Sequence, residues 1–175
     1  MSRHVFVDET KERGYLLAAA VVSPGDLATA RQAVRGLILP RQRRLHFKRE
    51  SDARRWEIIR VVLGLGAQAV IYDSAAAGDE KKARRACLVE LVVDLAKDAV
   101  ERVVIERDDS VVESDRRVIY EQVRATGVAA TLRYDHLRAH EECLLAIPDA
   151  VAWCWAKGGR WRSVVRPMIT EVRRV

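Results

Sequence analysis

The chain reads as an α/β protein built on a mixed five-stranded sheet, with flanking helices and a helical insert between its second and third strands. Three observations predict this. Two apolar runs near the N-terminus stand close enough to pair as an antiparallel hairpin. From residue 67 onward, short apolar runs alternate with longer segments of helical period, which favours parallel strands with helices on the faces. Finally, 175 residues with 49% hydrophobic and 32% charged content suit one domain with one core, spanning 1–175.

His4-Val-Phe-Val-Asp8 predicts the first strand, because Val5, Phe6 and Val7 are contiguous. A polar turn over 9–14 leads to a second apolar strand over 15–22. Ser23-Pro24 marks a helix start, with Ser as cap and Pro in the first turn. That helix runs to about Leu37, and Pro40 stops it. A basic stretch at 41–44 and the cluster Leu45-His46-Phe47-Lys48 follow. Ser51 caps a second helix through Leu63, with Trp56, Ile59 and Val62 on one face. These helices make up the insert, about 23–63.

Gly64 and Gly66 break the second helix, and the third strand covers 67–72. Asp79 caps a long helix over 80–98 whose apolar stripe is Leu88, Leu91, Val92 and Leu95. The fourth strand is 102–106. A helix over 114–126 ends at Gly127, and a fifth strand spans 129–134. A buried helix over 144–156 ends at Gly158-Gly159, and the basic tail over 160–175 is part helical.

The balance of 31 Lys and Arg against 25 Asp and Glu gives a net charge of +6, with Arg far ahead of Lys. Such a surface suits phosphate partners, because a guanidinium pairs with phosphate bidentately. Arg- and Ala-rich coding bias accounts for the same composition. The three cysteines, Cys87, Cys143 and Cys154, have no C-x-x-C spacing, which leads us to expect a reducing, cytoplasmic setting. No apolar run is long enough to span a bilayer, so no membrane partner is expected. A P-loop and a G-x-S-x-G elbow are both absent.

The acids narrow the function. Asp8 ends an otherwise apolar strand, where a carboxylate is costly unless it is paired or binds a cation. Asp108 lies just past the fourth strand, and Glu106 projects to the same side. Chemistry in α/β sheets gathers at the carboxyl ends of parallel strands, so strands one and four as neighbours bring these acids to one edge. Glu9, next to Asp8, joins the candidates. Asp149 opens a buried helix, either as its cap or as a third carboxylate. Three converging acids need hard divalent cations between them, and two such ions can cleave a phosphodiester. His46, Lys48 and Arg107 are candidate substrate contacts.

The strand order resembles the ribonuclease-H-like fold. Val7-Asp8-Glu9-Thr10 and Leu145-Ala-Ile-Pro-Asp149-Ala-Val resemble the domain-of-unknown-function family numbered 3800, which opens with a V-D-E-S-G-like strand and closes with an L-Q-x-A-D-like helix. The resemblance covers nearly the whole chain. It implies Asp8, Asp108 (or Glu106) and Asp149 as ligands of Mg²⁺ or Mn²⁺, and nuclease activity on nucleic acid. The chain departs from the pattern at Thr10-Lys11, at Pro148 and in its helical insert. Glu90 is a candidate match for a further helix acid but sits beside an apolar stripe.

Other constellations have bland and sharp readings. His136, His140 and Cys143 are spaced to touch one zinc ion, with no fourth ligand in view. Glu141 and Glu142 either approach the acids or start the last helix. Trp153, Trp155 and Trp161, with Arg160, Arg162 and Arg166 beside them, either stack on bases or pack inward. Arg116, Arg117 and the 41–44 run are phosphate contacts or solvated faces. Two further functional readings stand beside the nuclease. One is a non-catalytic nucleic-acid- or protein-binding module of the same fold, and the other is a structural protein whose acids only cap helices.

Overall fold

A six-stranded sheet in the order β5-β4-β1-β2-β3-β6 organises the computed structural model, which describes residues 3–74 and 78–175. β1 (His4–Thr10) and β2 (Leu16–Val22) form the expected antiparallel hairpin, and β3 (Gln68–Asp73) adds antiparallel to β2. β4 (Arg102–Glu106) pairs parallel with β1, and β5 (Arg133–Leu137) pairs parallel with β4. The sheet is therefore mixed, as the hairpin and the later alternation require. No helix among the described residues is long and apolar enough to cross a membrane.

The sixth strand corrects the sequence reading. β6 (Ile169–Arg174) lies parallel to β3 at the sheet edge, where the reading expected a part-helical tail. Its Ile, Thr and Val favour extended backbone, while Glu171, Arg173 and Arg174 make it too polar to stand out as a strand. An edge tolerates such charges because one side of the ladder stays unpaired. The fifth strand is also displaced from 129–134 to Arg133–Leu137. Ala129 and Ala130 belong to a turn closed by Leu132 N–H donating to Val128 O at 2.9 Å.

Helices cover both faces, which is why β2 and the middle of β1 are apolar on both sides. One face carries α1 (Leu27–Arg35), α2 (Asp52–Gly64), α5 (Ala146–Lys157) and α6 (Gly159–Val165), packed over Phe6, Ala18, Ala20 and Ile71. The other carries α3 (Glu80–Lys97) and α4 (Val112–Ala125), over Val5, Val7, Leu17 and Ile105. Two caps fall where expected: Ser51 Oγ accepts from Arg54 N, and Asp79 Oδ1 accepts from Lys81 N and Lys82 N. Ser23 makes no side-chain cap bond, because Pro24–Asp26 form a separate 3-10 turn and α1 starts only at Leu27. α1 ends at Arg35, two residues short of the expected stop. Gly158 and Gly159 adopt positive φ (77° and 54°) between α5 and α6, a turn that glycine makes without strain.

α5 is apolar on nearly every side and lies across β1 and β2. Ala18, Ala20 and Ala150 are fully buried between them. Small residues at this contact let the helix approach the sheet closely, and the approach carries Asp149 toward the end of β1.

Candidate active site

β1 and β4 run side by side, with His4 opposite Arg102 and Val7 opposite Ile105. The next residues along, Asp8 and Glu106, are therefore neighbours at the carboxyl ends of two parallel strands. Strand alternation sends both to the α5 face, with Phe6 and Val104. α5 adds Asp149 from its first turn. The three acids line an open cavity of about 500 Å³, shared with Arg44, His46, Arg107 and Arg138.

Burial holds the Asp8 carboxyl well above the usual carboxylate range, and the charges of Asp149 and Glu106 add to the push. Hydrogen bonding with the Glu106 side chain raises Asp8 further. Its Oδ1 accepts the N–H of Glu9 at 2.7 Å. Burial likewise pushes Asp149 up to about 6, with Glu106 adding to it. The Phe47 N–H, donating to Asp149 Oδ2 at 3.0 Å, and the Arg44 charge pull the other way.

The insert delivers the positive side of this pocket. Phe47 is buried edge-on to Trp153 and Trp161, with ring centroids 5.3 and 6.4 Å away. Arg55 fixes the same turn by donating from Nε to Phe47 O at 3.0 Å. That anchor holds residues 44–46 over the acids. Arg44 donates to Glu106, and His46 lines the pocket with its Nδ1 buried and unpartnered. Burial lowers the His46 pKa, and Arg44 and Arg49 lower it further.

The other expected site residues divide. Asp108 stands at the rim, where Oδ1 accepts from Ser110 N at 2.9 Å and Ser110 Oγ at 2.6 Å. Those bonds hold it below the usual range while it shapes the entry to α4. Glu106 is therefore the β4 acid that meets Asp8. Arg107 lines the pocket and pairs with Asp109 at 2.7 Å, as does Arg138. Lys48 faces a neighbouring groove, paired with Glu12. Glu9 touches the rim, but its carboxylate points to the α3 face, where Arg84 and Tyr15 hold it.

Arg84 makes a bidentate pair with Asp115, both contacts 2.7 Å, and His136 Nε2 lies 3.3 Å from the same carboxylate. Nothing in the local pattern signals this network, because Asp115 reads as an ordinary first-turn helix acid. It also overturns the zinc reading. His136 faces Asp115, His140 is exposed, and Cys143 Sγ contacts Arg31 O at 3.8 Å. Glu142 pairs with Arg31 and caps Leu144. Glu90 lies on α3, across the sheet from the acids.

Three buried carboxylates are the hard-oxygen donors that Mg²⁺ and Mn²⁺ take. As placed, Arg44 supplies the positive charge among them. No group of three or more His, Cys, Asp or Glu side chains among the described residues is placed to hold a metal ion.

Sheet order and flanking helices give a ribonuclease-H-like fold extended by one edge strand, with the acid pocket at the carboxyl ends of β1 and β4. The fold is similar to that of a ribonuclease HII from Archaeoglobus fulgidus, solved in complex with PCNA, with a TM-score of 0.59 and 16% identity. The match covers 88% of this chain and 72% of that one. No protein-family model matches the chain, and no curated protein matches it in sequence.

Proposed function

We propose that this protein is a divalent-cation-dependent nuclease whose active site is the pocket at the carboxyl ends of β1 and β4. The observation that carries the reading is the juxtaposition of Asp8, Glu106 and Asp149 from two strands and a helix. Burying like charges together is costly, and proteins retain such clusters chiefly where function needs them. The two stretches that resemble the domain family numbered 3800 contain two of these three acids, Asp8 and Asp149.

Asp8, Glu106 and Asp149 would hold Mg²⁺ or Mn²⁺, with Asp108 at the rim. Bound there, the cation would supply charge neutralisation and an activated water at a phosphodiester. The chain's own groups do the rest. Arg107 and Arg138 present guanidinium groups to the phosphate, and His46 lines the same pocket. In metal-free protein, Arg44 balances the acids. Three unpaired thiols, two of them buried, suit a cytoplasmic setting.

Calorimetric titration of Mn²⁺ into native protein and Asp8→Asn, alongside cleavage of a labelled oligonucleotide, tests the reading. Native protein is expected to bind the ion and cut the strand, and the variant to do neither. Equal metal affinity and equal cutting in the two proteins would end the proposal. The pairing of Arg44 with Glu106 favours a second reading, a binding module of the same fold in which the arginine permanently replaces the ion. Such a module binds nucleic acid with steep salt dependence and ignores Mn²⁺.

A further inference from the structure

A second hollow, of about 580 Å³, adjoins the carboxylate pocket across the turn at Phe47–Arg49. Lys48, Arg55, Lys157 and Arg160 line it, with Glu12 and Asp52 as the facing acids. Along α5, Asp149, Trp153 and Lys157 recur at four-residue spacing, so one helix face leads from the acids into this hollow. The cations rest on indole rings: Arg55 lies 4.4 Å from the Trp153 centroid, Lys157 5.8 Å from the same ring, and Arg160 5.4 Å from Trp161.

We infer that this groove binds the sugar–phosphate backbone of the nucleic acid whose scissile phosphate enters the carboxylate pocket. The inference deepens the nuclease reading and rests on it for the placement of the strand. Trp153 and Trp161 are only 9% and 5% exposed, so they form the floor of the groove and hold cations instead of stacking on bases. Recognition is therefore of phosphates and tolerant of sequence. Lys48 and Arg160 are tied to Glu12 and Asp52 by exposed pairs, which are weak and exchange readily for phosphate. From Asp149 to Lys157 the helix rises ~12 Å, the axial reach of roughly three or four nucleotides.

Fluorescence anisotropy of a labelled DNA duplex, in EDTA and across a salt series, tests the groove apart from catalysis. Lys157→Ala/Arg160→Ala removes two exposed cations and is compared with Arg116→Ala/Arg117→Ala, two exposed cations on α4 across the sheet. The groove variant is expected to bind more weakly and to lower the slope of log affinity against log salt by roughly 1.8, about 0.9 per lost contact. The α4 variant and Asp8→Asn keep the native slope. An unchanged slope in the groove variant, or an equal fall in the α4 variant, overturns the groove whatever the cleavage assay shows. A groove-specific fall without Mn²⁺-dependent cutting sustains the groove as a binding surface and removes the nuclease.

Discussion

Arg44 decides the state of the acid pocket. Its guanidinium pairs with Glu106 and opposes the upward push on both Asp8 and Asp149. Removing it leaves the acids without a counter-charge. Arg44→Gln is therefore expected to lose about 1–3 kcal/mol in EDTA, which at ~2–4 °C per kcal/mol is a readable fall in Tm. On the nuclease reading, the same variant is expected to gain more stability from Mn²⁺ than native protein, since the ion would no longer compete with a resident cation. Equal Tm values and equal Mn²⁺ shifts would show that the pair contributes nothing. Asp8 was legible from sequence because a carboxylate interrupts an apolar strand. Arg44 was not, being one of three arginines in a basic run whose chain path the sequence does not reveal.

Helix ends were the most legible elements. Asp79 accepts two backbone N–H groups at the start of α3, and no neighbouring element is needed to see it coming. Asp79→Ala is expected to cost about 1 kcal/mol in urea denaturation, and an unchanged midpoint would show that the cap is dispensable. The edge strands were the least legible. β5 and β6 carry Arg133, Asp135, Glu171 and Arg173, and only pairing with β4 and β3 makes them strands. Local hydrophobic period cannot report ladders whose partners lie 31 residues away for β5 (Arg102 opposite Arg133) and 100 away for β6 (Ala69 opposite Ile169), because edge strands are defined by their partner's backbone.

Across the whole molecule, the two faces of the sheet hold opposite electrostatic designs. The α5 face gathers Asp8 and Asp149, whose carboxyls burial pushes upward, while the α3 and α4 face gathers Arg84, Asp115, Glu9, Tyr15 and His136 into a hydrogen-bonded network. That network ties α3, α4, β1 and β5 together. Burial alone would raise Asp115, but the hydrogen bonds and charges of Arg84 and His136 outweigh it and hold the carboxyl below its usual range. A carboxyl held low contributes stability that is present above its unfolded value of ~3.9 and lost as pH falls below it. Arg84→Met is expected to cost about 3–5 kcal/mol at neutral pH by stranding a buried carboxylate. Its stability should also fall less steeply than native on acidification below about pH 4. Parallel pH profiles in the two proteins would assign the stabilisation elsewhere. The sequence by itself determined the strand hairpin, the βα alternation, the helix caps and the candidacy of Asp8 and Asp149, because hydrophobic period and capping act over a few neighbouring residues. Only the tertiary structure decided that Glu106 takes the place beside Asp8, that Glu9 turns away to Arg84, and that Arg44 closes the charge balance, because those choices depend on register, sheet face and the route of the insert across the pocket.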